Sequence, residues 1–275
     1  MRFVFRYYYT DNVCLPFSLV LPRSQIYLRS RYWSPLTFAP VACYDTACMH
    51  VRIASSPAYA IAYITLNAGE FVYLEKGSMV AMSGGISIVA GAQGGLLKAG
   101  VRAVFADEQL FQGRYEASIT GAWVAAAPAY PGDVMHVDIT QTGPLTLQSG
   151  AYLGHGGELR VDTGVGDLHT LLMKEGLFTI NTSGQGIVLL SSYGGIEQFE
   201  LARGQSLIVD TGHLVAWSTH ITMRTGILGG MVAGTLAGEG LVTEIVGPGT
   251  VYIQSRAEKS LRNWLSVPRG QNVAM

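Results

Sequence analysis

From residue 51 onward, the chain alternates short apolar runs with glycine-containing turns. Residues 59–66 alternate approximately between the two faces expected of a strand, and an Asn-Ala-Gly sequence ends the run at 67–69. Short runs rich in β-branched and aromatic residues, bounded by Gly and Asn, are typical of strands joined by turns. The pattern therefore predicts an all-β fold built from many short strands.

The same arrangement of turns and strands occurs three times. The clearest stretch, residues 210–217, has weaker copies at 76–82 and 149–153. Each unit is predicted to open at a glycine before a polar residue and an apolar strand, at Gly69, Gly132 and Gly204. These openings are 63 and 72 residues apart, longer than most solenoid periods, so each unit is predicted to be a small β-sandwich. The repeats are expected at about 51–131, 132–203 and 204–256, in a pseudo-threefold arrangement.

A second glycine follows in each unit, at Gly77, Gly150 and Gly212. It comes ten residues later in the second unit than in the other two. We interpret the difference as an insertion that forms a hairpin at residues 140–144, where Gly and Pro favour a turn.

The two ends of the chain differ from the repeats. Residues 1–50 hold five Arg against two acidic residues and several prolines. Three interpretations compete. A secretory signal would need an uninterrupted apolar region and a cleavage site, and this segment has neither. A transit peptide fits the Arg-rich balance but not the aromatic content, so we favour a non-native leader before a true start at Met49. At the other end, residues 257–265 predict two helical turns, and the tail 257–275 is expected to be peripheral.

Composition and charge limit the kinds of partner that the chain is expected to have. Charged residues make up only 13% of the chain and glycine 34 of 275 positions, which favours a homo-oligomer that buries much of its surface. A net charge of −1 argues against nucleic acid as a partner. Cys14, Cys43 and Cys48 lack the spacing of a zinc site or a disulfide framework, and we interpret them as incidental thiols.

Three glutamates are the most suggestive polar set. Glu108, Glu175 and Glu239 each precede an apolar strand at a comparable place in their unit. Around a pseudo-threefold axis their carboxylates could converge and bind a cation. The competing interpretation is that each carboxylate accepts hydrogen bonds from backbone N–H groups of a neighbouring turn.

His213 and Asp210 form the other candidate binding pair. They lie close together in the clearest copy of the repeat, where a hydrogen-bonded histidine could have an altered pKa; a structural histidine in the turn is the alternative. None of the six histidines has the spacing of a zinc-protease motif, and no Gly-x-Ser-x-Gly elbow is present. We therefore predict no metal site, no catalytic residues, no cofactor and no enzymatic activity.

Residues 96–105 carry apolar side chains at helical spacing with two cations on the other side. A helix that caps a sandwich is one interpretation, and a segment that touches a membrane surface is the other.

Several motifs together resemble one known family. They are the Glu-Lys-Gly-Ser-Met-Val-Ala-Met-Ser-Gly-Gly sequence at 75–85, Tyr-Pro-Gly-Asp at 130–133, Ser-Tyr-Gly at 192–194, the stretch 209–216, Gly-Glu-Gly-Leu at 238–241 and Gly-Pro-Gly at 247–249. From about residue 51 to 256 the chain resembles the altered-inheritance-of-mitochondria (AIM) family.

The resemblance implies three β-sandwich or double-stranded β-helix repeats, similar to the tryptophan RNA-binding attenuation protein (TRAP), in a homotrimer. Mitochondrial relatives are associated with inner-membrane organisation, and the family supplies no catalytic residues. The expected function is a non-enzymatic oligomeric scaffold or binding protein, with a small-ligand or cation-binding module, or a peripheral membrane-associated protein, as alternatives. Partners would be further copies of the chain and a protein or membrane surface, and the expected location is cytoplasmic.

Overall fold

A computed structural model describes residues 49–90, 112–163, 178–226 and 242–266, all within the unit Ala42–Met275. Most regular structure in these ranges is antiparallel β-sheet. The predicted all-β class is therefore confirmed. The alternation expected near residue 60 is present in the strand Ile61–Leu66, where Ala62, Ile64 and Leu66 are buried and the residues between them are half-buried.

The strands of the described residues are short, apart from two in the middle of the chain. Those of the first part are β1 (His50–Ala54), β2 (Ile61–Leu66), β3 (Phe71–Glu75), β4 (Met79–Met82), β5 (Ile86–Ala90), β6 (Gln112–Ala117) and β7 (Ala122–Ala126). Those of the middle part are β8 (Val134–Asp138), β9 (Leu145–Gln148), β10 (Tyr152–Thr163) and β11 (Thr179–Ser191). Those of the last part are β12 (Ile196–Leu201), β13 (Ser206–Asp210), β14 (Leu214–Ser218), β15 (Thr222–Gly226), β16 (Val242–Val246) and β17 (Gly249–Gln254).

Within the described ranges, four short helical segments accompany the strands. They are α1 (Ile139–Thr142), α2 (Glu258–Ser266) and the single 3-10 turns Ser149–Ala151 and Thr211–His213. Helix α2 confirms the two helical turns predicted after residue 256, and none of its residues is buried.

The described strands form three sheets. The first has the order β1-β2-β7-β4 and the third β13-β16-β15. The large central sheet has the order β12-β17-β14-β9-β11-β10-β3-β6-β5, with β8 also paired to β11.

Three groups of strands share one pairing pattern. In the first group, β2 and β4 flank β7, and β3 and β5 flank β6. In the last group, β12 and β14 flank β17, and β13 and β15 flank β16. In the middle group, the long strand β11 takes both central places. Its C-terminal part lies between β8 and the start of β10, and its N-terminal part lies between β9 and the rest of β10.

The described residues hold three clusters of buried apolar side chains, to which Val124, Leu190 and Ile245 respectively belong. The clusters cross the boundaries between the groups, since the first also includes Leu189 of β11 and the second also includes Tyr252 of β17. Burial of apolar surface at about 25 cal/mol per Å² is the main stabilising term for such clusters.

The predicted hairpin at residues 140–144 was wrong. Residues Ile139–Thr142 form one helical turn instead. The Asp138 carboxylate accepts a hydrogen bond from the Thr140 N–H at 2.9 Å, an N-cap that favours helix over hairpin. Gly143, with φ of 82°, ends the turn.

Candidate ligand-binding pocket

A pocket of about 140 Å³ lies where three turns of related sequence come together. The turns follow β3, β9 and β13, and each has a polar residue at the strand end and a glycine two residues later. Each turn contributes to the pocket lining: the first provides Glu75, the second Gln148 and Gly150, and the third Gly212. Residues from three distant parts of the sequence thus share one cavity.

Local hydrogen bonds fix the shape of two of these turns. After β3, Gly77 adopts a φ of 85°, and the Ser78 hydroxyl donates to the Glu75 carbonyl at 2.8 Å. After β13, the Asp210 carboxylate accepts from the Gly212 N–H at 2.8 Å and caps the 3-10 turn. These bonds fix the backbone of both turns beside the pocket, and the second also holds the Asp210 side chain.

Two glutamine side chains connect the walls. The Gln148 amide donates to the Thr211 carbonyl at 2.5 Å, and the Gln254 amide donates to the Gly212 carbonyl at 3.0 Å. Gln254 also accepts a hydrogen bond from the Tyr193 N–H at 2.9 Å. Both side chains bridge separate segments, which gives the pocket preorganised walls.

The Glu75 carboxyl in the pocket lining has an altered pKa. Burial raises the pKa of the Glu75 carboxyl from 4.5 to about 7, because desolvation penalises the charged form. Near neutral pH this carboxyl is therefore poised between a neutral hydrogen-bond donor and an anion. Perturbed carboxyls in clefts are candidates for function.

A buried polar cluster lies behind Glu75. The Tyr152 hydroxyl and the His155 Nδ1 are 2.6 Å apart, and the His155 ring stacks on Tyr73 with centroids 4.9 Å apart. Burial lowers the pKa of His155 to about 4. Burial first, and then the charge of Glu75, raise the pKa of Tyr152 well above its usual value. Both groups are therefore neutral at pH 7.

Helix α2 forms the remaining wall. The Tyr130 hydroxyl donates to the Glu258 carboxylate at 2.6 Å, and Arg262 lies 3.6 Å from the same carboxylate. The rings of Tyr130 and Tyr193 are tilted against each other with centroids 5.5 Å apart. The hydrogen bond to Glu258 is the main reason why the pKa of Tyr130 is raised. This wall combines aromatic faces with charged groups, including Lys259.

The binding residues predicted from the sequence have different outcomes. The imidazole of His213 donates from Nδ1 to the Gln254 carbonyl at 2.7 Å, and Asp210 caps its own turn, so both support the pocket wall. Glu108, Glu175 and Glu239 lie outside the described residues, as does the segment 96–105, and their roles stay predictions.

The sequence interpretation missed Glu75 and Gln148. A signal was present for both, because each lies two residues before the second glycine of its unit, at the place of Asp210. Tyr130 and Tyr193 are visible in the sequence as aromatic residues that could stack on a ligand, but the contact between them joins segments that are distant in sequence.

Two serine hydroxyls of the pocket are engaged by the backbone. The hydroxyls of Ser191 and Ser192 donate to backbone carbonyls, at 3.4 and 2.6 Å, rather than to an imidazole base. Across the four described ranges, no group of three or more His, Cys, Asp or Glu could hold a metal ion. Within the same ranges no helix is long and apolar enough to cross a membrane.

The fold and pocket define an all-β protein with a cavity lined by turns from three parts of the chain. The chain belongs to the family described as Mitochondrial biogenesis AIM24, whose model matches residues 51–256. The resemblance inferred from the motifs is thereby confirmed.

Two streptococcal proteins are similar to this chain. An uncharacterised protein of Streptococcus pyogenes serotype M6 is 27% identical over 215 residues, which cover 75% of this chain and 86% of that protein. The X-ray crystal structure of a Streptococcus pyogenes protein matches with a TM-score of 0.65 at 26% identity, covering 79% of this chain and 98% of the other.

Proposed function

We propose that the protein is a non-catalytic binding protein in which three equivalent β units surround a pocket for a small polar molecule. The observation that carries the proposal is the Glu75 carboxyl, whose pKa burial raises to about 7 beside a cavity formed by three turns. A desolvated carboxyl gains most from a ligand that restores a hydrogen bond or an opposite charge.

The equivalence of the units rests on strand pairing and on an irregularity shared by all three. The register shifts between Met79 and Ala81, between Tyr152 and Gly154, and between Leu214 and Ala216. In each case the shift lies just after one of the three turns. In this proposal β2, β8 and β12 are the first strands of the three units. Gly69 lies in the turn before β3, the second strand of its unit, whereas Gly132 lies before β8, the first strand of its unit. Gly132 is therefore not the equivalent of Gly69.

The chemistry of the walls indicates the ligand class. Glu75 offers an anion or a hydrogen-bond donor, and Tyr130 and Tyr193 offer aromatic faces on which an ammonium group binds well. Lys259 and Arg262 bring cationic side chains to the helix wall. We therefore infer a small molecule with an ammonium group directed at Glu75 and an anionic or polar group directed at helix α2.

A thermal-shift screen of small amines and zwitterions against the full chain tests this proposal. Binding to the folded state raises the melting temperature with ligand concentration. We expect Glu75→Gln to abolish the shift of a positive compound, while Glu158→Gln, a change of an exposed carboxylate outside the pocket, retains it. Equal shifts for the two variants would contradict the proposed site.

The oligomeric scaffold and the cytoplasmic location, with a protein or membrane partner, remain parts of the proposal. The low charge content supports self-association. A cation at Glu108, Glu175 and Glu239 remains the second candidate, and all three lie outside the described residues.

A further inference from the structure

Helix α2 places an acidic side chain on the wall of the pocket that is proposed above to receive the anionic group of a ligand. Glu258, Lys259 and Arg262 of this helix all line the cavity, as does Tyr130. The Tyr130 hydroxyl donates a hydrogen bond to the Oε1 atom of Glu258 at 2.6 Å. The guanidinium of Arg262 lies 3.6 Å from the same oxygen. One carboxylate oxygen of the chain itself therefore faces both a donor and a cation of the pocket.

A ligand carboxylate would make the same contacts at this wall. A hydroxyl donor beside a guanidinium suits an anion, because hydrogen bonds to a charged group are stronger than those between neutral groups. Glu258 already supplies such an anion. A second carboxylate at the same place would be repelled by the first, since like charges that share a site disfavour each other's charged form. The two anions therefore exclude each other.

The contacts of Glu258 are weak enough to be exchanged. Its side chain is 33% exposed, and that of Arg262 is 59% exposed. The distance of 3.6 Å between them is longer than a hydrogen bond, and exposed ion pairs contribute little to stability. The Glu258 carboxylate can therefore turn into solvent, and the main contact that it loses is the hydrogen bond from Tyr130.

We propose that Glu258 is an internal occupant of the anion-binding position of the pocket, which a zwitterionic ligand must displace and a simple amine need not. The inference rests on the proposed function and adds the residue that selects among its ligands. With Glu258 in place, the pocket favours a ligand that carries an ammonium group alone. Once Glu258 turns out, Tyr130 and Arg262 are open to an anionic group.

A purely structural role for Glu258 gives a different expectation. An acidic residue in the first turn stabilises a helix through the helix dipole, and Glu258 occupies the first turn of α2. Loss of that stabilisation would loosen the helix wall for every ligand alike. A change in the preference between two ligands therefore separates the two roles.

The experiment uses the full chain and three probes that share one carbon skeleton: butylamine, 4-aminobutanoate and butanoate. Thermal-shift titrations at constant ionic strength give the affinity of each probe for the unmodified chain and for Glu258→Gln, Arg262→Gln and Glu158→Gln. Glutamine at position 258 keeps an acceptor for Tyr130 and the size of the side chain but not the charge. Glu158→Gln makes the same charge change at an exposed position outside the pocket lining.

We expect Glu258→Gln to raise the affinity for 4-aminobutanoate relative to butylamine about fivefold, the change that corresponds to one ion pair at a partly exposed site. Arg262→Gln should lower the same ratio, because it removes a cation that the anionic group would contact. Butanoate should bind Glu258→Gln more tightly than it binds the unmodified chain. Glu158→Gln should leave the ratio unchanged.

Circular dichroism melts establish which variants are folded, and the opposite directions expected of Glu258→Gln and Arg262→Gln let either one decide the test alone. An unchanged ratio in these two variants, or an equal change in Glu158→Gln, would overturn the inference. Absence of binding of all three probes to Glu258→Gln would overturn it as well, because the vacated position then receives no anion. The proposed function fails separately, when the thermal shifts of the wider screen are the same with and without the Glu75 carboxyl.

Discussion

The Tyr152 hydroxyl lies 2.6 Å from the His155 Nδ1 in a fully buried position, on a strand that joins two groups of the fold. The neutral pair packs between the pocket carboxyl Glu75 and the stacked ring of Tyr73. A polar pair in the core is favourable only while both partners are present, because an orphaned buried group bears the full cost of desolvation.

Replacement of Tyr152 by phenylalanine should therefore destabilise the protein. The change removes only the hydroxyl and leaves the His155 Nδ1 without its partner, so we expect a loss of about 1–3 kcal/mol in the free energy of unfolding. Urea denaturation measures it. Tyr59→Phe, at a 71% exposed position, is the control and should change stability by less than about 0.5 kcal/mol. Equal effects would show that the buried pair contributes nothing.

Glu75 should make stability fall as pH rises. The pKa of its carboxyl is about 7 in the folded protein and 4.5 without the effect of burial. Between these two pH values the folded state binds more protons than the unfolded state, so the free energy of unfolding falls as the pH rises through this interval. Glu75→Gln removes the penalty. We expect the variant to match the unmodified chain more closely near pH 5 and to be more stable at pH 8 by about 1 kcal/mol, a value reduced for solvent screening.

Denaturation curves at several pH values check this sign. Glu158→Gln should show no comparable pH-dependent difference, since Glu158 is exposed. A Glu75→Gln variant that is less stable at pH 8 than the unmodified chain would mean that the carboxylate is stabilised in the folded state.

Gly132 should tolerate no side chain. A methyl group there would overlap the carbonyl oxygen of Ser192, on the segment that Gly132 bridges at Gly194. Overpacking of this kind costs about 1–3 kcal/mol or more, so Gly132→Ala should lower the melting temperature clearly. Gly150→Ala is the matched control, because its methyl group would meet nothing within 4 Å. Similar melting temperatures for the two variants would contradict the close approach.

Tyr130 should hold helix α2 against the pocket. Its hydroxyl donates to Glu258 at 2.6 Å, and the helix buries none of its own residues. Tyr130→Phe removes this bond, so hydrogen exchange of the amides in 258–266 should become faster while exchange in β11 stays unchanged. Unchanged exchange in the helix would show that other contacts fix it.

The sequence predicted local features better than the pocket. Alternation identified the strand Ile61–Leu66, and apolar spacing identified the helix Glu258–Ser266, because both patterns depend on neighbouring residues. The hairpin at 140–144 was wrong because the Asp138 cap outweighs the turn signal of Gly and Pro. The alignment of Gly132 with Gly69 stays a prediction, because glycine spacing alone does not reveal which strands pair, and the units proposed above depart from it.

The importance of Glu75 depends on its surroundings. The raised pKa comes from burial among turns that lie more than sixty residues apart in sequence, and no local pattern encodes that burial. The motif Glu-Lys-Gly at 75–77 is visible in the sequence, but a polar residue before a turn glycine is ordinarily a solvated strand end.

Native mass spectrometry of the full chain, purified gently and compared with Glu75→Gln, tests the central claim most directly. The account predicts one small-molecule adduct per chain in the unmodified protein and its absence from the variant. The same spectrum for both proteins, with or without an adduct, would contradict a binding site built on Glu75.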